Sequence, residues 1–200
     1  MPAMRRLVLS IALVCARLAA AQEMPHAVRY RFVPEKSDLH FELPTTLHLV
    51  AGKVPDWTGE IEVDPAQPGV LHARIAIKAV SIVTGSKGRD ANMHRKVLEC
   101  SAFPEIVFQA ATYKGDLGKL SPGRSFTTEI AGDLTIHGVT LPVQTSIECE
   151  ILADHAIIAG AVPVHWKDFR LLDMSRIFNK VRDPMTVIFR LWAEPEGRAR

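Results

Sequence analysis

Apolar and polar residues alternate with a period of two along most of this chain, the spacing of strands with one buried face. Leu71, Ala73, Ile75 and Ile77 share one side of such a stretch, and His72, Arg74, Ala76 and Lys78 share the other. Leu39, Phe41 and Leu43 are set against His40 and Glu42 in the same way. The longest example runs Leu141, Val143, Thr145, Ile147, Cys149, Ile151, opposed by Gln144, Ser146, Glu148 and Glu150. Val187, Phe189 and Leu191 repeat it with Arg190 opposed. Further strands are expected over 28–33, 59–64, 106–113, 127–136 and 155–164. Eight or nine short strands separated by Gly, Pro and Asp turns predict an all-β sandwich or barrel. Because a one-residue slip would bury every charge, Ile75, Ile77, Val143, Ile147, Val187 and Phe189 are expected inside, and Arg74, Lys78, Glu148 and Arg190 outside.

Two stretches break the alternation. Residues 87–98 place Met93 and Val97 four apart, with Asp90 early and His94, Arg95 and Lys96 late, which predicts a short amphipathic helix with charges matched to its dipole. Residues 168–183 mix Phe169, Leu172, Met174 and Phe178 with many charges and predict a short helix or an ordered loop across one end of a barrel. The apolar face of the strands is aliphatic, and many of its candidates are small: Ala73, Ala79, Ala110, Thr145, Ala159 and Ala161. Small linings leave volume, so two readings stand: a packed core, or a lumen with room for an apolar ligand.

The first residues change the compartment. Arg5 and Arg6 precede an apolar run from Leu7 to Val14, and Ala19, Ala20 and Ala21 offer a cleavage site before Gln22. This is the pattern of a secretory signal peptide over 1–21, with one domain over 22–200 in the periplasm or outside the cell. The segment takes three of 24 basic residues and none of 22 acids, leaving 21 against 22, so the mature chain is near neutral. That balance, without a Lys/Arg run, argues against nucleic acid as a partner. Cys15 leaves with the signal. Cys100 and Cys149 then allow either a disulfide closing a loop of about 50 residues or two buried free thiols.

Candidate chemistry is sparse. The sequence contains no G-x-S-x-G, H-E-x-x-H, C-x-x-C, G-x-G-x-x-G or phosphate-binding loop, and nothing in it specifies an enzyme. Gly85, Ser86, Lys87 and Gly88 fall between strand and helix, where Ser86 or Asp90 is a helix cap. Eight histidines are spread through the chain; His40 and His72 fall on the polar parity, and His94 follows Asp90 by four, a spacing that suits a metal or a local charge pair. No third and fourth ligand is evident, and no metal or cofactor is expected.

Several blocks, in order, resemble the YceI family of exported, lipocalin-like, polyisoprenoid-binding proteins. They are Tyr30 to Ser37 followed by Leu39-His40-Phe41; Gly52, then Gly59 to Asp64; and Ser81, Thr84-Gly85, Arg89-Asp90 and Phe103-Pro104-Glu105-Ile106-Val107-Phe108. Later come Gly132 to Val143, then Lys167-Asp168-Phe169, and Met185 to Trp192. Arg170 stands where the family's usual Gly follows the D-F pair, and 170–182 is long and charged. The resemblance implies an antiparallel lipocalin-like barrel of about eight strands with a short helix near 87–98. It also implies a non-catalytic carrier whose apolar lumen sequesters a long isoprenoid lipid, of quinone or polyprenyl phosphate type. Parity and resemblance together name the expected lining: Phe41, Ala73, Ile75, Ile77, Phe108, Val143, Ile147, Ala159, Val187 and Phe189. Transient contact with a membrane is compatible with that role. The competing readings are a metal- or haem-associated exported protein and an interaction domain without a ligand.

Overall fold

The computed structural model describes residues 27–64, 66–115 and 122–197. The expected signal peptide lies outside the described residues. Ten antiparallel strands follow in order: β1 (Val28–Phe32), β2 (Asp38–Pro44), β3 (Leu49–Lys53), β4 (Trp57–Val63), β5 (Val70–Lys78), β6 (Glu105–Lys114), β7 (Arg124–Ile136), β8 (Val139–Ile151), β9 (Ala156–Val164) and β10 (Met185–Pro195). Eight of them, β1-β4-β5-β6-β7-β8-β9-β10, close into a barrel because β1 pairs with both β4 and β10. The sandwich alternative is therefore set aside, and the expected barrel stands.

Closure depends on a divided strand. The far end of β10, Ala193 to Pro195, pairs with β1, while Thr186 to Arg190 pair with β2. Between β1 and β2 the chain makes a tight turn at Pro34–Lys36. Ser37 holds the break: its Oγ donates to the Val33 carbonyl at 2.7 Å and accepts from the Trp192 N–H at 2.9 Å. Backbone groups that the turn would orphan are thus satisfied.

The β2–β3 hairpin extends beyond the ring, and among the described residues the other backbone bridge of β3 is between Lys53 and Val83. This short strand was absent from the periodicity, because Gly52 interrupts five residues on a sheet edge. A bulge at 111 on β6 shifts the register between Ala110 and Thr112, so Tyr113, rather than Thr112, turns inward.

Residues Lys87–Asn92 form α1, which widens into a π-turn over Met93–Val97, so the expected helix is present in a less regular form. The 168–183 stretch is the loop of the two alternatives. It is anchored by buried Trp166 and Phe169 and by bridges from Thr45 to Val181 and from Arg176 to Asn179. α1, this loop and the tip of the β2–β3 hairpin gather at one end of the barrel. At the other end Val63, Leu71, Ala110 and Tyr113 pack together, with Phe126 and Ile130 against them.

Candidate functional site: an apolar lumen with a polar mouth

A cavity of about 520 Å³ occupies the barrel. Phe41, Ala73, Ile75, Ile77, Phe108, Val143, Ile147, Val187 and Phe189 all line it. Ile75, Ile77, Val187 and Phe189 are only half-buried although they point inward, since the space beside them is open and unfilled by side chains. Along β10 the lining runs from Met185 to Leu191, roughly 20 Å of strand.

Ala159 is a correction. It is absent from the lining and stands opposite Arg190 in the β9–β10 register. Residues opposite each other point to the same face. Arg190 is exposed, so Ala159 faces outward with it. Ile158 and Val162 carry the inward parity on this strand. An almost uninterrupted apolar run through β9 gave the alternation no polar residue by which to choose a face. Ala161, next in that parity, is likewise outside, whereas Ala110 and Thr145 line the cavity.

Two glycines keep the lumen open. Gly52 faces Phe41 in the β2–β3 register, and Gly160 faces Phe189 in the β9–β10 register. A Cβ at 52 would lie 2.2 Å from the Phe41 ring, and one at 160 would lie 2.7 Å from Phe189 Cζ. Each ring therefore lies along the wall over a bare backbone instead of projecting into the space.

The polar part of the lining is concentrated at the mouth: Thr45, His48, Thr84, Arg89, Asn92, Arg176 and Asn179. Among the described residues no Asp or Glu lines the cavity. The Asn179 side-chain oxygen is buried without a hydrogen-bond partner. These positions carried no periodic signal, since they come from a hairpin tip, a helix and a loop that only the fold brings together.

One side of the mouth is locked by the Thr84–Arg89–Asp90 group. Asp90 accepts from the Thr84 N–H at 2.9 Å and from its hydroxyl, and Arg89 Nε and Nη2 donate to the Thr84 hydroxyl and carbonyl at 2.6 and 2.7 Å. The Thr84 hydroxyl bond holds the Asp90 carboxyl below its usual range. Of the two expected caps, Ser86 occupies the N-cap position without a side-chain bond, and it is Asp90 that reaches back across the turn to Thr84. His94 spends its Nε2 on the Ile82 carbonyl at 2.7 Å. Asp90 and His94 thus serve the fold, and among the described residues no three His, Cys, Asp or Glu side chains converge.

Both cysteines are free. Cys100 follows α1 at the mouth end, where neighbouring Glu99 accepts from His137 Nε2 at 2.6 Å. Cys149 lies down β8 from Val139, roughly 30 Å away at about 3.3 Å per residue. A disulfide needs Cα atoms within about 7 Å, so the cross-link is excluded. Burial pushes the Cys149 thiol up to about 12.

Comparison with known proteins agrees with this architecture. The YceI-like domain matches residues 30–193. A UPF0312 protein of Pseudomonas fluorescens is 30% identical over 193 residues, covering 89% of this chain and 93% of its own. Among solved structures, Burkholderia cenocepacia BcnA superposes with a TM-score of 0.69 at 17% identity, covering 80% of this chain and 98% of that one. A polyisoprenoid-binding domain from Saccharophagus degradans, implicated in plant cell wall breakdown, gives 0.67 at 18%, with coverage of 82% and 97%.

Proposed function

This chain belongs to the family of YceI-like domains, and from that premise we propose that it is a non-catalytic carrier of a long isoprenoid lipid. The observation that supports the reading most is the lumen: about 520 Å³, apolar along most of its length and with its polar residues concentrated at its mouth. A packed barrel of this kind would fill that space with side chains. An isoprenoid tail suits it, since each CH2 taken from water contributes about 0.8 kcal/mol. The head group, of quinone or phosphate type, then sits at the mouth. There Arg89, Arg176, Asn92 and Asn179 present donors, and Asn179 holds an acceptor with no other partner.

The mechanism is sequestration: the barrel withdraws the tail from bilayer or water and carries it across an aqueous compartment, with no bond made or broken. Export through the 1–21 signal places it in the periplasm or outside the cell, and N-terminal sequencing of exported material is expected to start at or near Gln22. Solvent extraction and mass spectrometry of the purified full-length product test the function. A long-chain isoprenoid in near-stoichiometric amount is expected; a metal, a haem or no ligand at all overturns the reading.

A further inference from the structure

We infer that the rim around the lumen mouth is a docking surface for an anionic phospholipid bilayer. Two chain tips form it. The β2–β3 turn carries Leu47 and Leu49, 67% and 52% exposed, and the turn closed by the Arg176–Asn179 bridge carries Ile177 and Phe178, 86% and 83% exposed. The tips are tied together: the Thr46 N–H donates to the Lys180 carbonyl at 2.9 Å, and the Lys180 N–H donates to Thr46 Oγ1 at 3.2 Å. Single exposed apolar side chains are ordinary, but four gathered on one rim make a patch that marks an interaction site. Ile177 and Phe178 do not line the cavity, although their neighbours Arg176 and Asn179 do, so the pair projects away from the lumen.

Charge identifies the partner. Arg176, Lys180 and Arg182 flank the apolar tip, all exposed. No acid lies in 45–49, and the two acids that bracket the stretch 174–182 are Asp173 and Asp183, the latter turned to His165. Some surface cations elsewhere are matched: Arg29 with Glu62, Lys36 with Glu194, Lys78 with Asp56 and Lys114 with Glu129. Others, such as Lys53, Lys87, Arg95 and Arg190, are exposed outside these pairs, so what sets the rim cations apart is their place beside exposed apolar side chains. No ion pair among the described residues involves the three rim cations. An apolar wedge with a collar of unpaired Lys and Arg is the make-up of an interfacial anchor, the apolar part entering the head-group boundary and the cations meeting lipid phosphates. Met174 and Val181 continue the apolar surface from this rim into the lumen, giving a tail a path that avoids water. This role rests on the carrier reading for its purpose, but its observations are separate.

Co-sedimentation of the mature protein with phosphatidylglycerol–phosphatidylethanolamine vesicles, against phosphatidylcholine alone, tests it. Binding to the anionic vesicles, weakened by added salt, is expected. Ile177→Ser with Phe178→Ser should lower partitioning at least about tenfold. Lys180→Glu with Arg182→Glu should lower it by a similar factor on anionic vesicles only. Both pairs should keep the melting temperature and the extracted lipid content of the parent. Failure of the parent to sediment, or full binding by the variants, overturns the inference. So does a dimer in sedimentation velocity that the Ser variants dissolve without any change in vesicle binding. Lipid extraction of the same samples separates the two claims: vesicle binding without a copurified isoprenoid overturns the carrier alone, and isoprenoid without vesicle binding overturns the docking alone.

Discussion

Gly160 lies under the Phe189 ring, with 2.7 Å between its missing Cβ and Cζ and 3.1 Å to the Ser146 carbonyl. Gly160→Ala therefore tilts the ring into the lumen. The expected result is several-fold less copurified lipid, at an overpacking cost of about 1–3 kcal/mol. Phe189→Leu in the same chain should recover part of the lipid, because the two positions share one contact. Ala73→Phe fills the lumen directly and should reduce lipid content more than stability. Ala159→Phe, on the outer face of β9, is the control and should leave lipid content unchanged. Equal lipid in the Ala73 and Ala159 variants, measured on folded protein by extraction and mass spectrometry, would place the ligand elsewhere. Parity revealed most of these wall residues. The glycines that set the wall's depth were visible only as letters, since what they make room for is a ring on another strand.

At the level of elements, α1 shows how a motif is spent on local geometry. Thr84, Arg89 and Asp90 form a closed hydrogen-bonded group at the entry to the helix. Asp90→Asn weakens it, and a lower melting temperature by about 1 kcal/mol of stability is expected, with little change in lipid content. The carboxyl is held below its ordinary value in the folded chain. Its contribution is thus present above the unfolded carboxylate pKa and is lost as pH falls through the lower folded value. Melting curves on acidification should accordingly converge for parent and Asp90→Asn. A gap that stays constant into strong acid would assign the stability to something other than the ionised carboxylate. The helix was legible from Met93 and Val97, which face the cavity as their spacing implied. Its widening into a π-turn over Met93–Val97 was not, since the spacing of apolar residues does not distinguish the two helical forms.

For the molecule as a whole, closure hinges on β10 serving two partners, and Ser37 bridges the point where it passes from one to the other. Ser37→Ala leaves the Val33 carbonyl and the Trp192 N–H without this link. A loss of about 1–3 kcal/mol, seen in denaturant unfolding with unchanged strand content by circular dichroism, is the expected outcome. A neutral substitution would mean that the ring closes on backbone pairing alone.

The division between chain and fold follows from the range of the interactions. Alternation is a property of neighbouring residues, so the amino-acid order by itself determined most of the strands and their inward faces, though not β3 or the bulge on β6, together with the short helix and the absence of recognised catalytic motifs. On β9, where apolar residues stand at both parities, it determined no face, and Ala159 shows the consequence. Which strands pair, how the ring closes, the separation of Cys100 from Cys149, and the meeting of residues 45–49, 84–93 and 172–181 at one mouth were decided by tertiary structure. Each brings together residues far apart in the chain, and no local pattern records that distance.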